Sequence, residues 1–398
     1  MTTDDSRRLG YLPALDGLRA IAVVLTSLVH ILPTKVPGGF LGVDIFFVLS
    51  GFLITSLLLG AWARHGRIDL LGFYVRRFRR LVPAVVALIL VFTIVVMLST
   101  PTGHEVVVAM VVDAAVLSYT FNWTDAFGHQ PPWQMDHLWS LSLEEQFYLI
   151  WPLLLIWLLK VASRRTIMIV TASAALASAI AQGIAYAATH TVDWAYLASP
   201  FHAHGILLGC LLGQLYVWRV ADGFLERLGR SHFVPIAALV TIGVLSLGLD
   251  LDHSFAYSGG MAAAVVAAGA LVATMVARDA LGVPGLLGRV LGSRVLVAIG
   301  RRSYSIYLWE NFIAWALTDS LRGTWLWIPV NIVATLACAE LSYRFVERRF
   351  LRPSRNPDRY AAPPDTSLSS GGAKAEDAPA GKVETQEPEA LPGVTPRA

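Results

Sequence analysis

Apolar runs close to bilayer-crossing length, separated by short polar segments, set the pattern of this chain. A spanning helix needs about 20 mostly apolar residues. Runs near that length, with soft edges, cover 14–32, 40–62, 81–100, 143–159, 167–188, 203–218, 234–250, 255–277, 303–320 and 325–345. They predict an all-α, polytopic integral membrane protein with about ten transmembrane helices. The stretch 105–121 is apolar too, and is expected to be re-entrant or interfacial rather than spanning. From Pro353 onward Pro, Ala, Gly, Ser and Glu take over and no apolar period survives. Such a composition cannot bury enough apolar surface to fold. The expected organisation is a short tail over 1–13, a membrane domain over 14–350 and a disordered tail over 351–398.

Composition sharpens this picture. The chain is 55% hydrophobic and only 15% charged, with mean hydropathy +0.58. Soluble domains carry roughly 25% charged residues, so a purely soluble enzyme is excluded. A net charge of +3 gives no ground for nucleic-acid binding. Cys210 and Cys338 each sit in an apolar run, which argues against a disulfide framework, a zinc site or a reactive thiol.

Charge also orients the chain. With the N-terminus placed in the cytoplasm, both termini lie inside, and 28 Lys and Arg fall on the inner side. Only Lys35 and Arg322 fall outside, and Arg19 lies in the first span. The loop 63–80 alone holds Arg64, Arg67, Arg76, Arg77, Arg79 and Arg80, while the outer segment 101–142 holds no Lys or Arg. That is a positive-inside distribution. A full crossing by 105–121 would invert every later loop and destroy it. Arg7 and Arg8 are read as inside-positive flanks of an uncleaved first helix, not as an export signal.

The candidate chemistry lies in the polar residues that interrupt the apolar runs. A charged side chain in a spanning helix costs roughly 2.5–3.5 kcal/mol on insertion scales, which makes each one a functional candidate. Arg19 and His30 are eleven residues apart on the first span, so they share one helix face with an axial gap of about 16 Å. The topology puts His30 near the outer end of that span, Asp44 about a turn into the second, and Glu144 and Glu145 at the start of the fourth. This is a plausible grouping of a base with orienting carboxylates. The competing reading is a buried polar cluster that fixes helix packing, with Arg19 snorkelling to the inner interface. At the inner face, Arg77 and Arg80 are three apart and form a fork suited to an anionic cofactor. Positive-inside anchoring is the alternative for that cluster, and Pro83 is compatible with a new helix starting there.

These residues fall in a recognisable order. LPALDGLRAIAVVLTSLVH, PGGFLGVDIFFVLSGFLIT, FYVRRFRRLVP, LWSLSLEEQFYLIWPLLL, SYSIYLW and LSYRFVERRF together resemble the acyltransferase-3 family of integral membrane acyltransferases, from about Leu12 to Phe350. The resemblance implies transfer of an acyl group, commonly acetyl, from cytoplasmic acyl-CoA to a hydroxyl. By the same resemblance His30 would be the catalytic base or an acyl carrier. Glu144 would orient or charge-balance it, or position the acceptor. Arg77 and Arg80 would bind the donor phosphates, with Arg19 lining the donor's path; Arg76 and Arg79 satisfy the same motif spacing. The chain departs from the family at two places. Glu310 stands after Trp309 where the family often has histidine, and His202 and His204 stand where many relatives have an arginine and an aspartate. A His-x-His pair such as His202 and His204 suggests metal ligation. Two residues apart on one helix they would point about 200° from each other, so no metal is expected.

The expected activity is a membrane O-acyltransferase of a bacterial cell membrane, using acyl-CoA, acetyl-CoA in the first place. The expected acceptor is a carbohydrate or glycolipid of the envelope. Acylation of a small molecule such as a macrolide is the alternative within the same chemistry. A transporter with Arg19, His30 and Glu144 as a proton relay is the alternative of another class.

Overall fold

The computed structural model describes residues 9–99, 103–129 and 132–350. The tail expected over 351–398, the first eight residues and hence the side on which either terminus lies are outside the described residues. All regular elements described are helical: α1 (Pro13–Ile31), α2 (Leu41–His65), α3 (Leu70–Ser99), α4 (Gly103–Leu117), α5 (Phe121–Ala126), α6 (Leu138–Val161), α7 (Arg164–Thr189), α8 (Ser199–His202), α9 (His204–Val217), α10 (Asp222–Arg230), α11 (Phe233–Gly248), α12 (Met261–Ala280), α13 (Gly285–Leu291), α14 (Arg294–Arg301), α15 (Ser303–Leu321), α16 (Trp327–Ser342) and α17 (Arg348–Phe350). Short π-helical turns at Asp193–Leu197, Ala256–Gly260 and Tyr343–Glu347 lead into or out of them.

The chain is a polytopic membrane protein. Among the described residues six helices are long and apolar enough to cross a membrane, or seven if the pair α9–α10, bent by 105°, is one span. The helices of the other three apolar runs fall short of that measure for physical reasons. α11 and α16 hold 16 residues each, about 24 Å of helix against a hydrocarbon core of roughly 30 Å. α15 is long enough at 19 residues but carries Glu310, Asn311 and Asp319. The third span also starts earlier than expected, because α3 begins at Leu70 and runs straight through Pro83. α4 has 15 residues, about 22 Å, too short to cross.

Packing supports that reading of α4. α2 and α9 lie side by side through Gly205, Gly209 and Gly213, spaced four apart on one face of α9. A Cβ at Gly209 would sit 2.1 Å from the Val48 carbonyl oxygen, and one at Gly51 would sit 1.9 Å from that of Ile206. Small residues are what let membrane helices approach this closely. Gly205 lies beside Asp44 and Phe47, and Gly213 beside Phe52 and Ser56, so the two helices run parallel. Crossings by α3, α6 and α7 between them return the chain in the same direction. A crossing by α4 as well would have made the pair antiparallel.

α1 is gripped at both ends. At its start, Gly300 of α14 meets the backbone of Asp16, where an added Cβ would lie 1.9 Å from the Asp16 carbonyl oxygen. At its end, the Trp327 indole of α16 donates to the Ile31 carbonyl at 2.8 Å. The helix that carries both Arg19 and His30 is thereby fixed against α14 and α16.

Candidate functional site

The polar residues flagged by sequence form three clusters, and their partners are not all those expected. His30 is in the last turn of α1, with its side chain 27% exposed. Its Nδ1 donates to both carboxylate oxygens of Glu310 on α15, at 2.8 and 3.0 Å. Glu310 is fully buried. Among the described residues no polar group bonds Nε2 of His30.

A second histidine stands beside this pair. His137, just before α6, lies with its ring centre 6.5 Å from that of His30, edge on. Its Nδ1 accepts from the Asn311 amide at 3.3 Å, and its Nε2 donates to the Leu308 carbonyl at 3.3 Å. That pattern fits one tautomer of a neutral imidazole. Asn311 also donates to the Trp133 carbonyl at 2.7 Å. Tyr307 donates to the His137 carbonyl and lies 2.6 Å from the Ser140 hydroxyl. Residues 307–311 of α15 thus hold both histidines.

Glu144 belongs to a different cluster. It accepts from the Ser50 hydroxyl of α2 and from the Tyr148 hydroxyl one turn along α6. It does not bond His30. With Arg19, Ser50, Ser140, Tyr304 and Tyr307 it lines a cavity of about 60 Å³, room for a few waters. The Arg77 guanidinium lies 4.6 Å from the centre of the Tyr148 ring, a cation–π contact. Arg80 lies within electrostatic reach of Arg19 and Arg77, and of Glu347 near the end of α16. Arg19 keeps an unpartnered buried Nε among the described residues. The two arginine pairs that satisfy the motif spacing differ in orientation. Arg77 and Arg80 are half-buried toward this cluster, whereas Arg79 is exposed and Arg76 faces Asp69 at 4.0 Å on the surface. Glu145, expected beside Glu144, is buried with an unpartnered Oε1.

Asp44 corrects the expected grouping. It is buried on α2 and pairs with His202, whose Nε2 lies 3.1 Å away. His202 also donates from Nδ1 to the Tyr196 carbonyl at 2.7 Å, so both its nitrogens are engaged. The Trp139 ring stacks on it at 5.2 Å. The expectation that His202 and His204 point apart assumed one continuous helix. A break at Ala203 separates α8 from α9 instead, and the two rings stack 5.7 Å apart, nearly parallel. Among the described residues no group of three or more His, Cys, Asp or Glu could hold a metal ion.

Outside the spanning helices, two carboxyls meet near the His30 end of α1. Asp125 of α5 lies within electrostatic reach of Asp136. Burial first, then the Asp136 charge, raises Asp125 to about 7. Asp136 is raised by burial and is itself within reach of the His30 charge.

Sequence reasoning missed Glu310 as a partner of His30 and His137 as its neighbour. The available signal was a carboxylate in the middle of the 303–320 apolar run, which needs a partner there as much as Glu144 does.

The chain is similar to known proteins over most of its length. The family model described as "Acyltransferase domain" matches residues 12–344. The peptidoglycan O-acetyltransferase OatA of Listeria monocytogenes is 34% identical over 363 residues, covering 87% of this chain and 56% of that protein. The O-acetyltransferase OatA of Staphylococcus aureus is 34% identical over 370 residues, covering 87% of this chain and 59% of that protein. The chain therefore spans between half and three-fifths of the length of these relatives. No solved structure matches it. The ordered motifs, the polar clusters built from them and the match across residues 12–344 place the chain in the acyltransferase-3 family of membrane proteins.

Proposed function

We propose that this chain is a membrane O-acyltransferase that moves an acetyl group from acyl-CoA to a hydroxyl of an envelope glycan. The observation that carries the reading is an arginine cluster: Arg80 lies within electrostatic reach of Arg77 and of Arg19, and Arg19 lines the cavity beside Glu144 on the same α1 face as His30. Three guanidinium groups this close repel one another, and Glu144 and Glu347 offset only part of their charge. A polyphosphate supplies the missing anion and suits arginine forks. Arg77 and Arg80 hold the phosphates of the donor, and Arg19 guides its extended arm past Glu144. The span of about 16 Å from Arg19 to His30 is the path of that arm.

At the outer end, His30 acts as general base. The acceptor hydroxyl oxygen attacks the thioester carbonyl, forming a C–O bond while the C–S bond breaks. The hydroxyl proton passes to His30 and then to the departing thiolate. Relatives named for peptidoglycan O-acetylation favour a cell-wall glycan over a macrolide as acceptor. Asp44, paired with His202, has the role of fixing α2 against α8 rather than of touching substrate.

The test is CoA release from acetyl-CoA by the purified full chain with a peptidoglycan-derived acceptor. Arg77→Ala with Arg80→Ala raises the KM for acetyl-CoA at least about tenfold, equivalent to about 1.4 kcal/mol of binding. An unchanged KM in folded protein would remove the arginine pocket from donor binding. No CoA release from folded wild-type protein would sink the acyl-CoA reading as a whole.

A further inference from the structure

We infer that Glu310 is the positioning residue of His30: it holds Nδ1, fixes the tautomer and presents Nε2 to the acceptor hydroxyl. This rests on the reading of His30 as the base. Three observations carry it. The first is geometry. Both Glu310 oxygens lie on one ring nitrogen, so the carboxylate accepts and Nδ1 carries the proton. The lone pair is then on Nε2, the nitrogen left free among the described residues.

The second is accessibility. Glu310 is sealed while the His30 side chain is partly exposed, so the carboxylate reaches the acceptor only through the ring. The third is the surrounding frame. Among the described residues nothing else bonds Glu310, and the neighbouring His137 is held neutral by Asn311 and Leu308. The charge of Glu310 is therefore committed to His30 alone. Glu144 has its own donors, Ser50 and Tyr148, and faces Arg19 across the cavity.

During transfer, Nε2 accepts the hydroxyl proton as the acceptor oxygen bonds to the acyl carbon, and the C–S bond of the donor breaks. The imidazolium formed is paired with Glu310 until its proton passes to the thiolate. This is the logic of a base oriented by a buried carboxylate, which does not itself take up the proton.

The experiment measures kcat and KM on full-length protein with acetyl-CoA and the glycan acceptor. Glu310→Gln keeps the size of the side chain but loses the charge. It lowers kcat by about a hundredfold or more, with KM for acetyl-CoA within about twofold of wild type. Glu310→Asp restores part of the lost kcat. Should the Gln variant fail to fold, Glu310→Ala replaces it, and added formate raises its turnover but not that of His30→Ala. Wild-type kcat in folded Glu310→Gln, a loss confined to KM, or no formate response in the Ala variant overturns the inference. Failure of the base reading looks different: His30→Ala itself would then keep wild-type turnover.

Discussion

Two histidine–carboxylate pairs stand in the bundle, and they differ in what is left over after pairing. In His202–Asp44 the ring is completely buried and both nitrogens are bonded, one to the carboxylate and one to the Tyr196 carbonyl. In His30–Glu310 the carboxylate is the sealed partner and the ring keeps one nitrogen open. The chemical groups are the same, but only one pair has a lone pair to offer to a substrate. The sealed pair joins α2 to α8, where the glycine ladder brings α9 hard against α2. A free ring nitrogen, and not the presence of a histidine beside an acid, separates a proton-transfer group from a structural one.

Removing each ring strands a buried carboxylate, and the two variants are told apart by kcat. His30→Ala lowers kcat by about a thousandfold, near 4 kcal/mol of transition-state stabilisation, and also costs about 3 kcal/mol of stability, because it strands Glu310 as an unpaired buried carboxylate. Steady-state turnover beside a melting curve checks both halves; folded variant with wild-type kcat would end the case for His30 as base. His202→Ala costs stability without the loss of kcat. It strands Asp44, already short of a partner on Oδ2, as an unpaired buried carboxylate. Breaking a buried pair costs about 3 kcal/mol of stability. The folded fraction keeps its kcat. Loss of kcat at full stability in His202→Ala would mean that the sealed pair also takes part in the chemistry.

How much of this was legible in the sequence follows from what one dimension can carry. Arg19 and His30 are on one helix, so their shared face follows from 3.6 residues per turn. Arg77 and Arg80 lie on one helix too, and their common face is the half-buried one. Between helices, sequence supplies depth but not the angle about the helix axis or the order of neighbours. Asp44, Glu144 and Glu310 all come to the histidine's half of the membrane, and only packing decides which one faces it. The decision is made by contacts such as Gly300 on Asp16 and the Trp327 indole on Ile31, which turn α1 toward α15. The 280-residue separation of His30 from Glu310 leaves no periodic trace. The break at Ala203 was hidden for a different reason. An apolar run reads as one helix, and Pro200 two residues before His202 was compatible with an ordinary first turn.

The smallest expected effect sharpens the comparison from the side of His30, because a second carboxyl pair stands near that ring. Asp125 is raised to about 7, by burial first and then by the Asp136 charge. The sign follows from proton binding. Between the ordinary aspartate value near 4 and about 7, the folded segment holds a proton that the unfolded chain releases. Stability from this segment is therefore full below about pH 4 and falls as pH rises toward 7. α5 is one short helix outside the spanning bundle, so it opens locally before the bundle does. Hydrogen exchange of the α5 amides reads this directly. Exchange becomes faster from pH 5 to pH 8, after correction for the intrinsic rate, and Asp125→Asn flattens the profile. A wild-type profile already flat over that range would show that the two carboxyls do not share a proton, and would leave the charge on Glu310 as the chief influence on His30.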